Sequence, residues 1–456
     1  MKYFESSGLW YPADDSSSAV GGILHYTADG LRLRLLGSFR PGWAPSKERY
    51  PVIRGVVGEN PYGTFVTLLD CLRSNTKINM AGITSESITS NMAVIGRSHL
   101  PAAPIRFKTA GLRFSYLNHW VGRDAIESDM VHGESLGFVI RYQKPPAIPM
   151  PLGDANITIG FTFGAHMGAY RAEISENANI FVDNPGDRSI DAILGDFVMP
   201  LQSLLAFATD TPNEIEEVHL IGEDDQGERD ELLSFNLVNN PIFRLEQKQE
   251  FLSDQEMLFT LDDALAAGLN IFHNWFDFTR KHDAFCTVYF AQIHAQARYL
   301  DDNFSKLMSA FTLLCASSME PSSRAQAFVD GIAALRDTYF AGAERDFLVD
   351  SVPTAAEVEM PIHLLRLLEE NDELMGQIID GDFSDFVAAA VNTLGFVKRR
   401  VAPPGGRFWQ GEDLYHATRK IRTLIKIVIL KHLGFEAARV RALIERNKYF
   451  IYLKSV

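Results

Sequence analysis

The chain has 456 residues, of which 46% are hydrophobic and 22% charged, and a formal net charge of −15. That length exceeds one hydrophobic core and calls for two or three domains of ordinary globular composition. The acidic balance argues against wholesale nucleic-acid binding, and no run of eighteen uncharged apolar residues suits a membrane span.

The opening residues, MKYFESSGLWYPADD, lack the apolar core of a secretory signal. Cys71, Cys286 and Cys315 are sparse and show no zinc-ligand spacing, which fits the reducing cytoplasm and no metal. There is no P-loop, dinucleotide fingerprint or G-x-S-x-G elbow, so no cofactor is expected.

The first half is patterned for strands. Between Leu24 and Leu36, the pair Asp29-Gly30 is a hairpin signal, followed by alternating Leu31, Leu33 and Leu35. Thr64 to Cys71 is a further apolar run. Pro104 to Tyr116 reads as two strands around Ala110-Gly111. Ile157, Ile159, Phe161 and Phe163 alternate strictly, and Glu231 to Val238 closes the series. The acidic stretch within 214–231 reads as a charged loop or a strand connection with no calcium-loop spacing. Many short strands separated by turn signals predict a sandwich or barrel-like domain.

Near residues 240–256 the texture changes, and Ser253-Asp254 with Glu256 offers a helix start. Beyond it the apolar period is 3.6, predicting helices over 259–280, 283–318 (with a break), 322–341, 359–379, 383–400, 409–433 and 436–452. The fold class expected is therefore α+β multidomain: a β-rich domain over 1–245 and an all-helical bundle over 246–456. Charge divides later in the chain. From residue 394 onward, fourteen Lys and Arg face four Asp and Glu, a net +10, leaving −25 for the preceding 393 residues. Such a tail either attracts RNA or complements an acidic surface of the same protein or of a partner subunit.

Val391 to Leu433 carries the most specific signal. Leu414, Ile421, Leu424, Ile425, Val428 and Ile429 recur at helical spacing before Gly434, and Pro403-Pro404-Gly405-Gly406 separates this helix from the one before. GEDLY at 411–415, TRKIR at 418–422 and LGF at 433–435 resemble the HEPN ribonuclease domain of ApeA-like anti-phage proteins. In the first half, GLWYPADD at 8–15, GGILHYTADGLRLRLLGSF at 21–39, VTLLDC at 66–71 and RFSYLNHWVG at 113–122 resemble the N-terminal domain that precedes HEPN there.

The resemblance implies a sensing or regulatory first domain, a metal-independent ribonuclease site and a dimer, since HEPN domains form their site between two protomers. In that family the helix before GEDLY carries Arg-Asn and then His, in the pattern R-x4-6-H. Counting back without a gap places Leu394, Gly395 and Arg399 at those positions. A 2′-hydroxyl attack on phosphorus needs a group that moves protons near neutral pH and a cation on the phosphate. Leu394 serves neither purpose, and the Arg399 guanidinium does not give up its proton. The catalytic motif is thus degenerate.

The alternatives remain open at this point. One is a rearranged ribonuclease using His416 and Arg419, three apart on one helix, with Arg399. Another is an RNA-docking surface made by Arg399, Arg400, Arg407, Trp409, Lys420 and Arg422, with Phe408 beside the loop, since guanidinium forks suit phosphate and an aromatic stacks on a base. A third is an assembly subunit whose basic tail binds an acidic partner, either as a homodimer or beside an active subunit. His432 reads as a structural cation at a helix end. Arg113 and His119 match the Arg–His spacing but fall in what reads as a strand. His294, Arg298 and Asp301-Asp302 read as a solvated face, because adjacent Asp residues point to different sides of a helix.

Overall fold

A computed structural model describes residues 3–39, 48–58, 60, 64–78, 84–101, 106–123, 125–132, 136–153, 155–168, 170–183, 188–223, 232–239, 251–294, 299–318, 322–340, 342, 352–399 and 406–456. A β-rich region spans 4–238 and an all-helical region spans 261–453, the fold class that the two apolar periods predict. By contacts the chain divides into one unit of 1–205 and 213–251 and a second of 206–212 and 252–456.

In the first unit, the strands are β1 (Phe4–Pro12), β2 (Val20–Thr27), β3 (Gly30–Leu35), β4 (Arg49–Val57), β5 (Phe65–Ile78), β6 (Thr84–Gly96), β7 (Arg106–Phe114), β8 (Ile126–His132), β9 (Leu136–Tyr142), β10 (Ile148–Leu152), β11 (Ala155–Met167), β12 (Ala172–Asp183), β13 (Ile215–Glu223) and β14 (Leu232–Asn239). β6 is the branch point. One side of it pairs with β5 along its length; the other pairs with β3 through Glu86–Ser90 and with β14 through Met92–Gly96. The ring β6-β3-β2-β1-β4-β5 therefore closes on itself, while β14-β13-β7-β12-β11-β10 extends as a sheet. Closure removes the free edges that six strands would otherwise expose.

Alternation fills the barrel. Trp10, Leu24, Leu31, Leu33, Leu35, Ile53, Leu68, Ile88 and Ile95 are buried together, and Trp10 Nε1 donates to the Gly22 carbonyl at 3.2 Å. A Cβ at Gly55 would lie 2.4 Å from the Trp10 ring, so glycine is needed there for the indole to lie flat on β4. The Asp29-Gly30 hairpin forms as predicted, with Gly30 at φ 102° and Thr27 opposite Gly30.

Several sequence expectations change. Ala110-Gly111 is no turn: β7 runs unbroken through it, and Gly111 faces the Phe181 ring, 3.4 Å from where a Cβ would sit. The segment RFSYLNH is not one strand. β7 ends at Phe114, and Leu117–Val121 is a short helix carrying His119. Residues 215–223 of the acidic stretch are β13, in the middle of the sheet; 224–231 lie outside the described residues. β1, β4, β6, β8, β9, β10, β12 and a continuous helical segment over 190–208 have no counterpart in the sequence reading. That last segment is long and apolar enough to cross a membrane by composition alone, yet half of it is buried within the protein.

In the second unit, the Ser253 amide and hydroxyl both donate to the Glu256 carboxylate in a single turn that goes no further. The first helix, Leu261–Ala266, begins behind a capping box of Thr260 and Asp263. It stops at Gly268, φ 69°, so the predicted 259–280 is two helices, the second being Ile271–Lys281. Asp283–His294 and Leu300–Ser318 carry the anticipated break. Ser323–Tyr339 follows, and Ala355–Glu369 starts behind Thr354, earlier than predicted. Phe383–Arg399 and Gly411–His432 precede two short terminal helices, Ala437–Arg446 and Lys448–Leu453.

Candidate functional site

The helices Phe383–Arg399 and Gly411–His432 are joined by a return whose described part, 406–410, is anchored by side chains. Thr393 Oγ1 donates to the Ala389 carbonyl at 2.7 Å and accepts from the Trp409 amide at 2.9 Å; Asn392 Nδ2 donates to the Arg407 carbonyl at 3.1 Å. Phe408 packs on Phe396, with centroids 4.8 Å apart. Trp409 is buried at 6% exposure against Phe386 and Phe304. Its indole is a core group and is withdrawn from the RNA-docking set, because a buried ring offers no face to a base.

Leu394 and Gly395 are half-buried on the first helix, and Arg399 is exposed in its last turn. A Cβ at Gly395 would lie 2.9 Å from a terminal nitrogen of Arg399, so the guanidinium folds back over the glycine one turn earlier. Arg407 is exposed. Arg400 lies outside the described residues, as does Arg298.

On the second helix, His416 is 8% exposed and neither ring nitrogen makes a hydrogen bond. Its Nε2 lies 3.5 Å from the exposed Glu412 carboxylate one turn earlier, and Tyr415 and Tyr452 flank the ring. Arg419 does not extend beside it into open space. Its guanidinium sits 4.9 Å from the Tyr415 centroid and 4.6 Å from that of Tyr449, held by cation–π contact on both. Burial lowers the Lys420 pKa, against the opposing pull of Asp380 and Asp413. Arg422 donates to the Asn303 side chain at 3.3 Å. His432 is exposed in the last turn of the helix, with its ring 5.2 Å from that of buried His282; desolvation of the ring together with Lys281 lowers its pKa.

Much of the basic tail is matched within its own unit. Lys398 pairs with Glu357, Arg439 and Arg446 with Asp263, Arg441 with Glu373 and Glu445, and Lys448 with Glu256. Arg399 and Arg407, at the end of the helix pair, have no such acidic neighbour among the described residues. Elsewhere, Arg113 is held by Glu216 and Glu217, apart from His119, and Asp302 pairs with Lys306 along one helix face. The three cysteines are free and buried, and burial pushes each thiol up to about 12. No cluster of metal-ligating side chains occurs among the described residues.

A family model of ApeA N-terminal domain 1 matches residues 5–275. The chain belongs to the ApeA N-terminal domain 1 family. That membership places it in an anti-phage defence family. No curated protein and no solved structure matches the chain. The match covers the barrel, the extended sheet and the helix Leu261–Ala266, ends inside Ile271–Lys281, and so stops before the helix pair that carries the HEPN resemblance.

Proposed function

We propose that this ApeA-family defence protein acts in the cytoplasm, with residues 246–456 forming a catalytically degenerate HEPN domain that docks RNA rather than cutting it. The observation that carries the reading is the trio Leu394, Gly395 and Arg399 at the positions where the resemblance places Arg, Asn and His. A leucine side chain and a permanently charged guanidinium leave the helix without a proton shuttle. Exposed Arg399 and Arg407 supply phosphate-binding forks at the same end of the helix pair. The domain would work as a homodimer or beside an active subunit, as the resemblance implies.

A second reading, a rearranged ribonuclease, is favoured by one observation: both His416 ring nitrogens lack hydrogen-bond partners. Against it, the Arg419 guanidinium is engaged by two tyrosine rings. The test is incubation of the purified protein with total cellular RNA in chelator, scoring cleavage and retention separately. Retention without cleavage is expected. Cleavage that His416→Ala abolishes would replace the first reading by the second, and neither retention nor cleavage would favour an assembly subunit that binds an acidic protein partner.

A further inference from the structure

On the outer wall of the barrel, β2, β3, β5 and β6 enclose a groove of about 680 Å³, within the range of small-molecule sites. Its floor is set by strand periodicity. Leu31, Leu33 and Leu35 point into the barrel, so Arg32 and Arg34 point out, about 7 Å apart along β3. Both are exposed, and neither makes an ion pair with a described acidic residue.

The register places donors beside them. Arg34 lies opposite Ser87 of β6, and Ser87 lies opposite Asn75 of β5, giving a row across three neighbouring strands. A bulge between Arg73 and Asn75 re-aims β5 at this point. Ser74 and Thr89 spend their hydroxyl protons on the carbonyls of Ser87 and Leu72, which holds the bulge in place. Ser85, Ser87 and Asn75 line the groove with donor groups facing the arginines. Of the two carboxylates nearby, Glu5 is engaged by His25 at 3.2 Å, and Asp29 sits at the hairpin tip at one end. The groove thus concentrates two fixed cations and neutral donors in a concave site, the arrangement that recognises tetrahedral oxyanions.

We infer that this groove binds a small phosphorylated ligand of nucleotide size, gripped through its phosphates by Arg32 and Arg34. The one ring among its lining residues, the His25 imidazole, is engaged by Glu5, so a base would contribute little, and a groove of this volume is of nucleotide size rather than a track for a long RNA backbone. The assignment is independent of the HEPN reading, since every residue involved lies within the family-matched half.

The test uses the full-length chain and isothermal titration with ATP, inorganic pyrophosphate, adenosine and a single-stranded RNA. ATP and pyrophosphate should bind and adenosine should not. Arg32→Ala with Arg34→Ala should weaken both by at least tenfold while the unfolding temperature without ligand stays within a degree or two, since both side chains are exposed. Arg34→Lys should retain part of the affinity as a point charge. Absence of binding to ATP and pyrophosphate, binding unchanged in the double variant, or RNA binding through these arginines without pyrophosphate binding would each overturn the assignment.

Discussion

The Lys426 ammonium lies 2.5 Å from the Asp210 carboxylate, across 216 residues of sequence, and both side chains are nearly closed off from solvent. Asp210 adopts a left-handed backbone, φ 51°, in the turn just after the helix Met199–Ala208, and Lys426 sits in the second half of Gly411–His432. Burial lowers the lysine pKa, and Asp210 opposes that shift. Removing one partner of such a pair strands the other charge in a poor solvent. Lys426→Met should therefore cost about 3–5 kcal/mol in the helical unit. Lys426→Met with Asp210→Asn should recover most of that, because Asn tolerates the left-handed backbone. Urea unfolding monitored by helical signal measures both, and a double variant no more stable than the single one would show that the pair is not coupled.

Much of this architecture is legible locally and little of it over long range. Ile157, Ile159 and Phe161 alternate and are buried, while Phe163, the next in the series, is exposed; period 2 finds the strand but not where its neighbours stop covering it. The helix pair is visible in the spacing of Leu414, Ile421, Leu424 and Ile425, all buried. Gly111 shows the opposite case. A glycine reads as punctuation, but here it lies mid-strand against the ring of Phe181, a residue seventy positions later. The double duty of β6 depends on register with three strands, which no local pattern encodes. The candidate site shares this limit: the motif positions could be counted from GEDLY, whereas burial of Trp409 and the clamp of Tyr415 and Tyr449 on Arg419 depend on packing.

The barrel holds a charged network inside one end. Arg73 donates to Glu86 at 3.0 Å and pairs with Glu48 at 3.1 Å; Ser38 donates to Glu86, and Tyr50 to Glu48. Burial, Glu48 and Glu86 push the Tyr50 hydroxyl up to about 12. Arg73→Met would leave two carboxylates facing each other without a cation. A loss of about 3–5 kcal/mol is expected, read as a lower urea midpoint of the β signal, with Arg73→Lys retaining part. An unchanged midpoint would mean that solvent reaches the carboxylates in place of the guanidinium.

His282 gives the helical unit an acid limit. Its Nδ1 meets the Ser317 hydroxyl at 2.6 Å, and Phe278 and His432 pack on the ring. Burial, His432 and Lys281 lower its pKa to about 4. The unfolded chain takes up that proton near pH 6.5, so between about 6.5 and 4 the unfolded state binds more protons. Stability from the neutral ring is thus complete above about pH 6.5 and is lost as pH falls toward 4. Urea midpoints at pH 7.5, 6 and 5 should fall in that order, and His282→Gln should flatten the decline while lowering the value at pH 7.5. A decline equally steep in the variant would assign the proton uptake elsewhere.

Arg399 and Arg407 should carry RNA retention. Both are exposed, so Arg399→Ala with Arg407→Ala should change stability by no more than about 0.5 kcal/mol. RNA affinity should drop, and its dependence on salt should become shallower as phosphate contacts are removed. Filter binding at two salt concentrations measures both quantities; retention with an unchanged slope would place the docking surface on other residues.

Restoring the family pattern tests the register of the helix pair. Leu394→Arg would place a cation on a half-buried position, and Arg399→His would put an imidazole five residues later at the exposed helix end. Gly395→Asn should be tolerated, since its Cβ would meet only the far end of the exposed Arg399 side chain, which can swing aside. The wild-type chain should leave RNA intact in chelator, lacking proton transfer worth about 10² to 10⁴ in rate and a cation worth about 10² or more. The two deficits act on one transition state and need not multiply. The triple variant should acquire metal-independent cleavage that His416→Ala does not remove. A folded, dimeric triple variant without cleavage would show that Leu394, Gly395 and Arg399 do not occupy the motif positions, and the ungapped register counted from GEDLY would have to be abandoned.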